Sequence, residues 1–159
     1  MIKIRHITDK KYEATNGKDI LVIDAEKYSP VEIFITGMGN CSLFDVVEMG
    51  KKHNIKNEKM DIEFKRKDTF PKIFTEFHFI YEFESEADNL TAKRWVLSSL
   101  ETYCSTINTV RATSKIYYTI KHNGETIAYK ESIISGNGKM ELESFDDDLD
   151  GFGCACCNS

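Results

Sequence analysis

Five cysteines, at positions 41, 104, 154, 156 and 157, are the residues of this chain best suited to chemistry. An odd count with such lopsided spacing is not the disulfide framework of a secreted domain. In a reducing compartment thiols of this kind are structural, metal-binding or redox-active. Cys154, Cys156 and Cys157 place three thiols within four residues. Soft thiolates suit zinc, copper(I) or an iron–sulfur cluster, and clustered thiols also suit exchange with another disulfide. Three ligands fall short of the usual four unless a second chain or a histidine contributes. Cys41 and Cys104 differ, because each sits in an apolar segment. Such cysteines are often small buried hydrophobes. Two of them in the two longest helical segments could also form a reversible disulfide if those segments pack face to face.

The elements that must position these thiols follow from the pattern. Ile2, Ile4 and Ile7, then Tyr12–Thr15, then Ile20–Ile23 read as three strands. Asn16-Gly17 is a signal for a two-residue hairpin turn, and the unbroken apolar run at Ile20 predicts a buried third strand. Ser29-Pro30-Val31-Glu32 is a helix start, with a capping Ser, a Pro at the first helical position and a Glu three residues after the cap. The helix should extend to about His53. It is apolar nearly all round in its first half, so it should be buried on several sides. Gly37 and Gly39 each cost about 1 kcal/mol relative to Ala and are expected to let another backbone approach. Cys41 falls near the middle, where activation would need a nearby cation or hydrogen-bond donors. Met60, Ile62 and Phe64, then Phe77, Phe79, Tyr81 and Phe83, alternate as two half-buried strands. A second helix is predicted over about Leu90–Arg111, with Val96, Leu100, Tyr103, Cys104, Ile107 and Val110 on one stripe. A last hairpin pairs Ile116–Ile120 with Thr126–Ser132 across Asn123-Gly124. The order β-β-β-α-β-β-α-β-β is an α+β fold with two long central helices.

Composition excludes several classes. The 159 residues are 41% hydrophobic and 30% charged, within the globular range, and suit one domain of ordinary size. No apolar run approaches the roughly 18 residues of a membrane span, so no membrane association is expected. A net charge of −5 argues against a nucleic-acid binder working through a basic surface. The chain opens without an apolar signal core, which predicts a cytoplasmic location. No phosphate-binding, dinucleotide or serine-hydrolase motif occurs, and no cofactor is expected. The four histidines (6, 53, 78, 122) are scattered and read as surface or strand residues. Gly136-Asn-Gly138 separates a domain over residues 1–135 from an acidic, Cys-rich tail over 136–159.

Two segments carry a family resemblance. Ser29-Pro-Val-Glu-Ile-Phe-Ile-Thr-Gly-Met-Gly-Asn-Cys41-Ser-Leu-Phe-Asp-Val-Val47 resembles the first-cysteine helix of the OsmC/Ohr family, the osmotically inducible and organic hydroperoxide resistance proteins. Glu101-Thr-Tyr-Cys104-Ser-Thr-Ile-Asn-Thr-Val110 resembles its second-cysteine helix, and the strand order also matches. The resemblance covers about residues 1–134 and is closest to the OsmC-like branch. It implies an intertwined homodimer with the two long helices at its centre. It also implies a two-cysteine thiol peroxidase for organic hydroperoxides. Cys41 would attack the peroxide and become a sulfenic acid. Cys104 would resolve it to a disulfide, and a dithiol, such as the dihydrolipoyl group of a lipoylated protein, would reduce that. The family's peroxidases hold the reactive thiolate with a Glu at the helix start and an Arg from the N-terminal strands. In register Val31 occupies the Glu position, Glu32 is its neighbour and reads as the capping residue, and Arg5 is the one N-terminal Arg. Arg66 and Arg111 are the candidate substitutes. Two alternatives stand beside this reading: a non-catalytic domain binding an apolar small molecule, or a thiol redox or metal protein acting through Cys154, Cys156 and Cys157.

Overall fold

The structure, a computed structural model, describes residues 1–134 and comprises two compact units. The first, Met1–Gly37, holds a three-stranded antiparallel sheet of β1 (Lys3–Thr8), β2 (Lys11–Thr15) and β3 (Ile20–Asp24) in that order. The turn between β2 and β3 is longer than the two-residue hairpin predicted. Thr15 pairs with Ile20, and the Asn16 side chain accepts from the amides of Lys18 and Asp19, both at 2.8 Å. Only Gly17 takes a positive φ, +98°. Asn16 thus acts through its side-chain carbonyl, the other way in which Asn makes turns. The expectation of a buried β3 is also overturned. Ile20, Leu21 and Val22 are 66%, 57% and 61% exposed. Successive side chains of a strand point to opposite faces, so an unbroken apolar run leaves both faces apolar, and both need a cover.

Helix α1 spans Pro30–Gly50, followed by a single 3₁₀ turn at Lys51–His53. Its start is a reciprocal capping box. The Glu32 carboxylate accepts from the Ser29 amide at 2.8 Å and the Ser29 hydroxyl at 2.7 Å, while the Ser29 hydroxyl accepts from the Glu32 amide at 3.3 Å. Such caps satisfy two amides that the helix geometry leaves without partners.

The second unit, from Met38 on, contains a four-stranded sheet ordered β4 (Lys56–Arg66), β5 (Phe74–Glu84), β6 (Lys115–His122), β7 (Glu125–Ser132). β5 and β6 are parallel, which requires a crossover connection; the other neighbours are antiparallel. The crossover carries α2 (Asn89–Ser98), a five-residue π-helical turn (Ser99–Tyr103) and α3 (Ser105–Val110). The continuous helix predicted over Leu90–Arg111 is therefore broken. The core draws on Phe77, Phe79, Tyr81 and Phe83 of β5, Ile116 and Ile120 of β6, and Val96, Leu100 and Ile107 of the crossover, all at most 1% exposed. The aromatic face read for β5 is buried, but its other face is not uniformly wet, since His78 is buried as well; Asn123-Gly124 turns β6 into β7 with both φ positive, 51° and 82°, as predicted.

No backbone packs against the glycines of α1 as expected: Gly37 faces open space, and Gly39 and Gly50 admit side chains. A Cβ on Gly39 would lie 2.5 Å from the Ile62 Cδ1 tip and 3.3 Å from Met60 Sδ. On Gly50 it would meet the stem of Ile55, with Cβ at 2.8 Å and Cγ2 at 3.0 Å. Tips can rotate away, whereas a β-branched stem moves only with its backbone. Gly50→Ala is expected to lose about 1–3 kcal/mol to overpacking, more than Gly39→Ala loses. Urea denaturation should show this as a lower midpoint at unchanged slope.

Candidate functional site

Within the second unit, α1 turns a polar stripe into an apolar core. Met38, Ser42, Asp45 and Val46 are all buried, at the three- and four-residue spacing of one helix face. Cys41, next to that stripe, is half-buried. It keeps its position on a continuous helix, as the sequence predicts.

Cys104 is held differently. α2 starts at Asp88, whose carboxylate accepts from the Thr91 amide at 2.9 Å and the Thr91 hydroxyl at 3.0 Å. After Ser98 the chain widens, and the Cys104 amide donates to the Ser99 carbonyl at 2.9 Å, five residues back. Cys104 itself is extended (φ −69°, ψ 100°), and α3 begins at the next residue. The break frees carbonyls that side chains then cap. Asn108 Nδ2 donates to the carbonyls of Cys104 at 2.9 Å and Thr102 at 3.2 Å. Arg111 Nη1 donates to the Glu101 carbonyl at 2.8 Å. A signal for the break does exist in the sequence. Ser99, Thr102, Ser105, Thr106, Asn108 and Thr109 are dense in side chains that compete for backbone hydrogen bonds and weaken a helix interior.

This turn brings the two cysteines together. The Cys41 thiol is close enough to Cys104 to share a hydrogen bond and to act on its charge. Burial, the main cause, pushes the Cys104 thiol up to about 12. Its neighbour Cys41 opposes ionisation too, while the Thr106 hydroxyl, 3.1 Å from Sγ, and the Ile107 amide favour it. At neutral pH Cys104 is therefore a protonated thiol.

Four further buried side chains, none assigned a role from the sequence, form a chain of hydrogen bonds beside the pair. The Ser42 hydroxyl lies 2.6 Å from the Tyr81 hydroxyl and 2.7 Å from that of Ser99. Ser99 Oγ donates to Asp45 Oδ2 at 3.0 Å. Burial raises the Asp45 pKa, and the Ser99 bond partly offsets it. Burial likewise raises Tyr81, with smaller contributions from the charges of Cys104 and Asp45. Hydrophilic side chains on an otherwise apolar helix face were the available signal: Ser42 and Asp45 interrupt the stripe of Met38 and Val46.

The remaining candidates have other occupations. Glu32 caps α1, and its exposed carboxylate is held below the usual range by Ser29. Arg5 pairs with Glu13 across β1 and β2, with Nη2 to Oε2 at 2.6 Å. Arg66 donates to the Lys72 carbonyl at 2.8 Å and lies over the Phe74 ring. Two histidines read as surface or strand residues are strand residues that are buried. His78 bridges Glu63 and Thr119. His122 lies between the Ser85 hydroxyl (2.8 Å from Nε2) and Asn89 Oδ1 (2.7 Å from Nδ1). That order resembles a serine triad, but Glu84, Glu86 and Asp88 flank it in sequence, and charge of that sign opposes a developing oxyanion. Its role is to clamp the start of α2 to the β6–β7 end of the sheet. Among the described residues no group of three or more His, Cys, Asp or Glu could hold a metal ion, and no helix is long and apolar enough to cross a membrane. Cys154, Cys156 and Cys157 lie outside the described residues.

A family model described as OsmC-like protein matches residues 23–119. No curated protein matches. Among solved structures, an OsmC-like protein from Mycoplasma pneumoniae is 17% identical, with a TM-score of 0.66 over 77% of this chain and 95% of its own. A hypothetical protein from Aquifex aeolicus VF5 is 22% identical, with a TM-score of 0.67 over 77% and 96%. The organic hydroperoxide resistance protein OhrB of Bacillus subtilis is 12% identical, with a TM-score of 0.51 over 76% and 98%. These likenesses establish the shared fold, including its α+β order of elements.

Burial of Cys104 carries a pH signature. Folded, its thiol titrates near 12, against an ordinary value of 9.0. Between these values the unfolded chain binds fewer protons, so stability is fully present below about pH 9 and falls as pH rises. Cys104→Ser removes that component. Urea unfolding from pH 8 to 11 should show the wild-type protein losing up to about 1.4 kcal/mol per pH unit more than the variant above pH 9.

Proposed function

The chain belongs to the OsmC-like protein family, and from that premise we propose that it is a two-cysteine thiol peroxidase acting on organic hydroperoxides. The observation that carries this reading is the pairing of Cys41 with Cys104, brought about by the helix break at Cys104. The Cys41 thiolate attacks the peroxide O–O bond, releases the alcohol and becomes a sulfenic acid. Cys104 then displaces the sulfenic oxygen as water and closes a disulfide. An external dithiol, a lipoylated protein in this proposal, reduces the disulfide by exchange. Residues 1–135 form the catalytic domain, with 136–159 an appended tail. Turnover is slow beside peroxidases that carry the family's Glu, because Val31 stands there.

The exposed apolar residues of β3 support a homodimer, since a contiguous apolar surface of this kind marks an interaction site. A groove of about 450 Å³ in the first unit, lined in part by Leu21, Ile23 and Ile33, supports the alternative of a domain that binds an apolar molecule without reacting.

Three measurements test these readings. With an alkyl hydroperoxide and a dithiol, Cys41→Ser should lose activity by at least a hundredfold. Cys104→Ser should complete one turnover and stop with a sulfenic acid at Cys41, visible to a sulfenate-trapping reagent. No hydroperoxide consumption by the unaltered chain would favour the binding domain instead. Sedimentation at micromolar concentration should give a species of twice the chain mass.

A further inference from the structure

The peroxidase reading needs Cys104 to reach a Cys41 sulfenic acid, and the inference below rests on that reading. In the resolving step Cys104 sulfur attacks Cys41 sulfur. An S–S bond forms, the Cys41 S–O bond breaks, and the Cys104 thiol proton leaves with the hydroxyl as water. The step is unimolecular, so its rate depends on how often the two sulfurs are held in line.

Cys104 lacks the support of a continuous helix. Its amide is fixed by the Ser99 carbonyl at 2.9 Å across the π-helical turn, so the place of Cys104 follows the place of Ser99. Ser99 is in turn tied to α1, the helix that carries Cys41. Its hydroxyl lies 3.0 Å from Asp45 Oδ2, 2.7 Å from Ser42 Oγ and 3.2 Å from the Ser42 carbonyl. The direction of these bonds follows from chemistry. An ionised carboxylate only accepts, so Ser99 donates to Asp45. Ser99 then accepts from Ser42, and Ser42 accepts from Tyr81 at 2.6 Å. Tyr81 is anchored in the central strand β5 and is fully buried. Each member has one role, and among the described residues no buried side-chain polar atom lacks a partner. The arrangement costs stability, because Asp45 is 6% exposed and a buried carboxylate is disfavoured against an apolar residue of similar size. Core packing alone gives no reason for it. Directional bonds between the two cysteine-bearing segments do.

We propose that Asp45, acting through Ser99, is a positioning residue that holds Cys104 in line with Cys41 for the resolving step. Its hydrogen bond runs to Ser99, the residue whose carbonyl holds the Cys104 amide, so its loss acts on the resolving step. Its loss lets the turn at Ser99 drift and lengthens the life of the Cys41 sulfenic acid. A second equivalent of hydroperoxide can then oxidise that sulfenic acid to a sulfinic acid, a dead end for the dithiol.

The test separates the two steps in the full chain. One equivalent of alkyl hydroperoxide is mixed with Asp45→Ala, Ser99→Ala and Asp45→Asn. Peroxide loss and Cys41–Cys104 disulfide are followed by quenching and peptide mass spectrometry. Asp45→Ala and Ser99→Ala should slow disulfide formation at least tenfold, change the peroxide step by less than threefold, and accumulate sulfinic acid at Cys41 under excess peroxide. Asp45→Asn, which keeps an oxygen acceptor for Ser99, should restore disulfide formation to within threefold. Equal slowing of both steps, or no slowing of the second, overturns the proposal. Ser99→Ala, which removes one oxygen, gives the answer if Asp45→Ala does not fold.

A second arm works without peroxide. Methyl methanethiosulfonate converts Cys41 to its methyl disulfide, and Cys104 then displaces methanethiol to give the same Cys41–Cys104 bond. Variant effects in this arm, with no peroxide consumption by the unaltered chain, would uphold the positioning role and refute the peroxidase. No Cys41–Cys104 disulfide in either arm would refute both.

Discussion

A helix carried through from Asn89 to Val110 would satisfy its own backbone, and this chain forgoes that at Cys104. Ending one helix and beginning another in mid-segment leaves carbonyls and amides without intrahelical partners, each costing about 1–3 kcal/mol if left buried and unpaired. The structure meets the demand locally. The Ser99 carbonyl takes the Cys104 amide, Asn108 spans the carbonyls of Thr102 and Cys104, and Arg111 reaches Glu101. Everything distinctive about the site depends on this repair. An uninterrupted α-helical register through Ser99–Tyr103 would send the Cys104 side chain in another direction from α1, and Asn108 and Arg111 would have nothing to cap.

The repaired break also explains why polar groups enter an otherwise apolar core. Phe77, Phe79, Phe83, Leu100 and Ile107 pack without preferred direction and fix only distance. Apolar burial is non-directional, so it cannot decide how a turn is rotated. Hydrogen bonds can. Tyr81, Ser42, Ser99 and Asp45 supply four directional groups where α1, β5 and the crossover meet, and buried networks of this kind are most valuable when every member is satisfied.

Much of this was legible in the sequence. The element order, the cap at Ser29, the aromatic face of β5 and the Asn123-Gly124 turn followed from local patterns with local causes. Cys41 and Cys104 stood out by their matching apolar settings. The departures have one feature in common, namely that their cause is non-local or statistical. The apolar run of β3 fixes what the strand avoids, water, but not what covers it. A helix through Ser99 and Cys104 has acceptable periodicity, and its density of Ser, Thr and Asn argues against it only weakly, residue by residue. The bond of Asp45 has no local signal, because its partner Ser99 lies far along the chain. The bond of Arg111 to the Glu101 carbonyl, ten residues back, has no local signal either, because it exists only where the helix is broken.

The parallel pairing of β5 with β6 has a consequence in time. Parallel strands cannot form as a hairpin; Phe77 must meet Ile116 and Phe83 must meet His122 across the whole α2–α3 segment. Loop closure on that scale comes late and makes folding slower than local contacts would. Cys104 rides on that crossover, and Tyr81, which anchors the bonds around it, sits in β5. The native placement of Cys104 beside Cys41 therefore waits on the long-range pairing of β5 with β6.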